Sequence, residues 1–225
     1  MSLLFPTKLV KKIEDIPADT KILTFYFKFN QRIKEYSLPL NLEELLFEKG
    51  SEFNTEINEN VLPSNLRILK LGYFFNKKIK VNVLPKNLED LYLGFNYNQE
   101  INEKVLPEKL KVLEFGNAYN KIINENLLPK NLEVIIFGYN YNQYIKEYVL
   151  PNSLRTIYFW PSTQINYFPE NVDTIAILCD DSKKNNKKVT HLPYNLKKII
   201  IAKKYEHLVK IPFGCEIINK NSILL

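Results

Sequence analysis

The side chains that could perform chemistry in this chain are few and scattered. Among 225 residues there are 2 His and 2 Cys. His191 and His207 stand alone, without the short spacing to Cys or a second His that gathers ligands on a metal. Cys179 and Cys215 are too isolated for a ligand set or a disulfide framework and read as two core thiols. The acid pairs Glu43-Glu44 and Asp180-Asp181 read as strand edge or turn. Glycines 50, 72, 94, 116 and 138 are single and 22 apart, so they build no phosphate-binding loop. No nucleophile stands beside a base in a recognisable motif. The expectation is a protein that is not an enzyme, with no catalytic residues, no metal and no cofactor.

Charge is the next candidate for function. The net charge is +6, with 31 basic and 25 acidic residues. It is uneven: residues 183–225 carry a net +8 and residues 1–182 a net −2. The run Lys183-Lys184-Asn185-Asn186-Lys187-Lys188 reads as an exposed loop that could meet an acidic partner. Only 3 of the 31 basic residues are Arg, and few aromatics interleave with them, which disfavours nucleic acid. Lys, Asn and Ile all have AT-rich codons, so an AT-rich genome accounts for their excess without any selected task. Membrane-spanning runs of about 18 apolar residues are absent, and residues 1–17 lack a signal-peptide core. A soluble, cytoplasmic protein is expected.

What organises the chain is a repeat. Prolines step by 22 from Pro63 to Pro151, each after a large apolar residue, and the ladder extends from Pro17 to Pro212 with uneven late steps. A typical unit runs Leu84-Pro85, then Asn87-Leu88, Leu91, Leu93-Gly94, Tyr97-Asn98, Ile101 and Val105. Leu88, Leu91 and Leu93 mark a short strand with inward residues. Gly94 and its equivalents end the strand where a positive φ is expected, which glycine adopts freely. Proline, lacking an N–H, punctuates the return where no ladder bond is needed. The two residues added between Pro39 and Pro63 are assigned to Glu48 and Lys49. A column of Asn30, Asn54, Asn76, Asn98, Asn120 and Asn142 reads as a structural ladder whose amides satisfy the backbone of neighbouring coils. One 22-residue unit cannot bury its own apolar face, so units must stack around a continuous core.

The units resemble a known family. Phe29-Asn30-Gln31-Arg32-Ile33, Tyr97 to Ile101 and Tyr141 to Ile145, together with Leu-Pro-x-Asn-Leu-x-x-Leu-x-Leu/Phe-Gly, are similar to the FNIP repeat. That family is leucine-rich-repeat-like and is found chiefly in amoebae and the giant viruses that infect them, which would place a viral member in the host cytoplasm. The resemblance implies a β-rich solenoid: a right-handed coil of about nine 22-residue repeats with a parallel strand ladder. It also implies protein–protein interaction and supplies no catalytic residues. About sixteen residues precede the first repeat, too few for the F-box that family members often carry.

The expected organisation is one continuous solenoid: a cap over 1–15, regular repeats over 16–160, and divergent repeats with a second cap over 161–225. A short helix carrying Leu9, Val10 and Ile13 is expected in the first cap. Strand alternation points Tyr92, Val112, Val134, Ile136 and Tyr158 outward on the concave strand face, with Trp160 at a glycine position. These six residues form the candidate partner-binding surface, because exposed apolar patches with Tyr and Trp suit interfaces. The opposite face, with Asn58-Glu59-Asn60 and Asn102-Glu103-Lys104, reads as solvated. The expected function is a non-catalytic interaction module for an unknown protein partner. Two alternatives remain open: a self-assembling structural protein, and an electrostatic binder acting through the C-terminal lysines.

Overall fold

A computed structural model describes residues 8–179, 188–189 and 192–219. Residues 1–7 of the first cap, most of the lysine run, Asp180-Asp181 and His191 lie outside the described residues.

A corner of an apolar residue and proline, most often Leu-Pro-x-Asn-Leu, starts each coil from Pro17 onward. The proline carbonyl accepts the N–H of the leucine three residues on, as in Pro85 with Leu88 and Pro107 with Leu110, both at 3.1 Å. That turn aims the chain into a strand of three or four residues. The strands are β1 (Lys8–Val10), β2 (Ile22–Phe25), β3 (Glu44–Phe47), β4 (Ile68–Lys70), β5 (Asp90–Tyr92), β6 (Val112–Glu114) and β7 (Val134–Ile136). They continue as β8 (Tyr144–Ile145), β9 (Thr156–Phe159), β10 (Gln164–Ile165), β11 (Thr174–Ile177), β12 (Lys198–Ile201) and β13 (Glu216–Asn219). Eleven of them form one sheet in the order β1-β2-β3-β4-β5-β6-β7-β9-β11-β12-β13. Every pairing in it is parallel and in register, so equivalent residues of successive units face each other. At about 4.8 Å per strand the sheet is about 48 Å long. The uneven spacing after Trp160 changes the return path, where β8 pairs with β10, while β11, β12 and β13 still join the same ladder.

Inside the coil, Leu69, Leu91, Leu113 and Ile135 from the strands are fully buried. On the return path Phe53, Phe75, Tyr97, Tyr119 and Tyr141 stack with ring centroids 5.9–6.2 Å apart, forming a continuous aromatic spine. Two asparagine columns tie coil to coil. Asn54, Asn76, Asn98, Asn120 and Asn142 each donate their backbone N–H to the side-chain oxygen of the asparagine one coil earlier, at 2.9–3.1 Å. The corner asparagines work the other way: Asn65, Asn87 and Asn131 donate their side-chain amides to carbonyls of the preceding coil. These bonds satisfy irregular backbone that has no sheet partner.

A third column precedes each strand and alternates in sign through nine coils: Lys21, Glu43, Arg67, Glu89, Lys111, Glu133, Arg155, Asp173 and Lys197. Successive members are joined by backbone hydrogen bonds of 2.7–3.1 Å. Ion pairs form at Lys21–Glu43 (2.9 Å), Arg67–Glu89 (2.8 Å), Lys111–Glu89 (2.9 Å) and Lys197–Asp173 (3.8 Å). The sequence carries this alternation at the repeat step, but its meaning emerges only when neighbours in the column are seen to touch.

Two expectations are corrected. The helix over Leu9, Val10 and Ile13 is absent: Lys8–Val10 is a strand on β2, and Ile13–Asp15 makes one 3-10 turn. The open edge of β2 offers unpaired N–H and C=O groups, and pairing with them outweighs a short, marginal helix. Glycines 72, 94, 116 and 138 do not have positive φ; among glycines only Gly50 and Gly214 do. A Cβ on Gly94, Gly116 or Gly138 would sit 1.9–2.1 Å from the carbonyl oxygen of the preceding glycine, so these positions are glycine because adjacent coils touch backbone to backbone. The left-handed turns are instead at Tyr36, Asn60, Asn82, Lys104, Asn126 and Tyr148, with φ of 59–66°. Asn tolerates that region better than most side chains. The added residues Glu48 and Lys49 occupy a turn closed by Ser51 N–H to Glu48 C=O, with Gly50 at φ 78°.

Candidate binding face

Alternation along the short strands leaves two outward columns, each set by the parallel register. One runs Ile68, Asp90, Val112, Val134 and Thr156, all half-buried. The other runs Thr24, Leu46, Lys70, Tyr92, Glu114, Ile136 and Tyr158. The residue after each repeat glycine adds a rim, where Tyr73 and Phe95 stack at 4.5 Å and Tyr139 meets Trp160 edge-on at 4.8 Å. Tyr73 and Phe95 are 38% and 41% exposed, large for aromatic rings.

A groove of about 720 Å³ follows the second column and the rim. Of the six candidates, Tyr92, Ile136 and Trp160 line it; Val112, Val134 and Tyr158 lie on the same sheet face outside the groove wall. Ile136 is only 6% exposed, lying between its registered neighbours Glu114 and Tyr158. It is part of the groove floor and not an exposed patch. Lys70, Glu114, Tyr73, Phe95 and Tyr139 also line the groove and were not among the candidates. The rim residues share one repeat position, so the aromatic column 73, 95, 139 was the signal for them.

The groove is electrically unbalanced at its centre. The Glu114 carboxylate makes no hydrogen bond or ion pair among the described residues, and burial pushes it above the ordinary range, with Lys70 a weaker opposing influence. Lys70 places its ammonium 5.7 Å from the Tyr92 ring centre. Asp90 is raised as well, by burial first and then by Glu89. Tyr92, beside both carboxylates, is pushed up by burial, Asp90 and Glu114.

A larger furrow of about 1030 Å³ runs along the Leu-Pro corners, flanked by the left-handed turns. Its walls repeat the same corner in every coil, and a second stretch of about 650 Å³ continues it toward Tyr167. It follows from the coil geometry and singles out no position, whereas the strand groove changes its chemistry from coil to coil. The face expected to be merely solvated thus has apolar relief between its polar tips. Among the described residues no three or more His, Cys, Asp or Glu could hold a metal ion, and no helix is long and apolar enough to cross a membrane.

A parallel ladder of short strands, an asparagine-tied return path and a 22-residue step define a leucine-rich-repeat-like β-solenoid. The sequence pattern of the FNIP repeat matches residues 29–74, 75–118 and 119–160, more than half of the chain, and the protein belongs to the FNIP repeat family. Among solved structures, CroV588, described as a novel circular LRR protein, is 38% identical with a TM-score of 0.73; the match covers 82% of this chain and 27% of that one. The chain therefore spans about a quarter of that relative. YopM from Yersinia enterocolitica WA-314 aligns at 18% identity over 91% of this chain and 51% of its own, with a TM-score of 0.36, too loose a likeness to support further comparison. No protein of curated function matches the sequence. Leucine-rich-repeat-like solenoids are typically protein-interaction modules.

Proposed function

We propose that this chain is a non-catalytic interaction module that binds a protein partner through the outward face of its strand ladder. The observation that carries the reading is the groove over β2 to β7, rimmed by exposed aromatic rings that the core does not need. Tyr73 and Phe95 contribute nothing to the stacked interior, yet they expose large apolar area beside each other. Aromatic side chains in a concave surface are the usual anchors of a protein interface. Val112 and Val134 extend the same face toward the start of the strands, and Tyr158 continues the Ile136 column onto β9. The test is affinity capture with the wild-type chain and with a Tyr73→Ser, Phe95→Ser double variant. Partner recovery is expected to fall at least tenfold while the circular dichroism spectrum is unchanged. Equal recovery by both proteins would refute the face.

A further inference from the structure

We propose that the strand-face groove recognises a cationic side chain, lysine or arginine, on its protein partner, with Glu114 as the receiving carboxylate and Tyr92 and the aromatic rim holding the aliphatic stem. This rests on the strand face being the docking surface and adds the chemistry of what docks there.

Charge complementarity carries the inference. Glu114 sits mid-column, between Tyr92 on β5 and Ile136 on β7, and lines the groove. Three carboxylates of the charge column are supplied with partners: Glu89 holds Arg67 and Lys111, Glu43 holds Lys21, and Asp173 faces Lys197. Glu114 holds none among the described residues. Lys70, the nearest cation in its column, is two strands away and lies over the Tyr92 ring. A half-buried carboxylate without a cation costs stability unless something pairs with it. Asp90, diagonal to Glu114 across β5 and β6, deepens the negative potential. Burial is the first cause that raises the proton affinity of both Asp90 and Glu114.

The walls suit the stem of a long basic side chain. Tyr92 stands one strand from Glu114, and Phe95 and Tyr139 flank it on the rim. Such rings pack against methylenes and attract a cation over their faces. An acidic partner segment would meet Glu114 and Asp90 as like charges. A purely apolar one would bury Glu114 unpaired. A basic residue among apolar neighbours is the occupant that leaves neither penalty.

The chain carries its own reporter. Trp160 is the sole tryptophan and lies on the groove rim against Tyr139. The probe is a blocked pentapeptide alternating leucine and lysine, compared with versions carrying norleucine or glutamate in place of lysine. The lysine peptide is expected to shift Trp160 emission saturably and to bind at least tenfold tighter than the other two. Glu114→Gln should remove most of that preference, while Glu125→Gln, an equal charge change at an exposed turn, should leave it intact. Norleucine binding as well as lysine, or a preference that survives Glu114→Gln, would overturn the inference and leave the face itself standing. No saturable response to the lysine peptide would also overturn it. So would concentration-dependent dimerisation abolished by Glu114→Gln, which would make a second copy of the chain the occupant. Failure of the face itself reads out separately, in the capture experiment with Tyr73 and Phe95 replaced.

Discussion

At the scale of single residues, glycine and tyrosine show that one repeat pattern can hide two physical reasons. Gly50 has a positive φ and open space around it, whereas a Cβ at Gly94 would lie 2.0 Å from the Gly72 carbonyl oxygen. Gly50→Ala should therefore cost about 1–2 kcal/mol, the strain of a left-handed alanine. Gly94→Ala must push two coils apart and should cost about 3 kcal/mol or more. Urea midpoints of the two variants separate these reasons, and equal losses would refute the close-approach account. The tyrosines of the spine pose the opposite question. The hydroxyls of Tyr97, Tyr119 and Tyr141 are buried without hydrogen-bond partners among the described residues. Those of Tyr97 and Tyr141 face the Ile79 and Ile123 backbone N–H groups without reaching bonding geometry. Phe29, Phe53 and Phe75 fill the same position in earlier coils. Tyr119→Phe should then be neutral or stabilise by about 1 kcal/mol, because it removes an unpaired polar group and keeps the ring. A loss of stability in thermal melts would show that the hydroxyl has a partner after all.

At the scale of elements, legibility in the sequence followed how local each signal was. The strands, the Leu-Pro corner and the Asn30 to Asn142 column repeat in every unit and could be read by aligning units. The reason for Gly94 could not, because it depends on how closely two coils approach. Nor could the strand at Lys8–Val10, which exists because β2 leaves an edge, nor the groove wall, which depends on which outward residues lie beside Ile136. Elements also decide pH behaviour, through two carboxylates of opposite kind. Hydrogen bonds from Arg67 and then Lys111 hold Glu89 down, from 4.5 to about 2. Its contribution is thus complete above the ordinary carboxylate range and is lost as pH falls from there toward 2. Burial holds Glu114 up, so its charge weakens the fold at neutral pH and that penalty fades as the group protonates. Glu89→Gln should lower the stability at pH 7 by about 1 kcal/mol or less, since these partners stand in solvent. Glu114→Gln should raise the melting temperature at pH 7 and lose that advantage below about pH 4. Melting curves between pH 2 and pH 8 check both, and parallel curves for the two variants would contradict the assignment.

At the scale of the whole molecule, the solenoid is a one-dimensional stack in which each coil touches only its neighbours. Length is then adjustable in whole units, provided every new junction matches. The core does not discriminate between junctions, because leucines, glycines and spine rings recur at each step. The alternating charge column does discriminate. Deleting residues 85–106 removes one unit and with it Glu89, so Arg67 comes to face Lys111. Deleting 85–128 removes two units, and Arg67 then faces Glu133, restoring the alternation. Both proteins lose coils, and the longer deletion loses more interface, so stability alone does not tell them apart. Salt does: raising ionic strength from about 0.05 M to 1 M shortens the screening length to about 3 Å and removes most of the repulsion or attraction at an exposed junction. The single-unit deletion should gain melting temperature with salt relative to the intact chain, and the two-unit deletion should track the intact chain. If both deletions respond to salt alike, the alternation plays no part in setting which coils may adjoin. If they diverge as argued, the charge column is a parity rule on the number of coils, written outside the core and independent of the face that meets the partner.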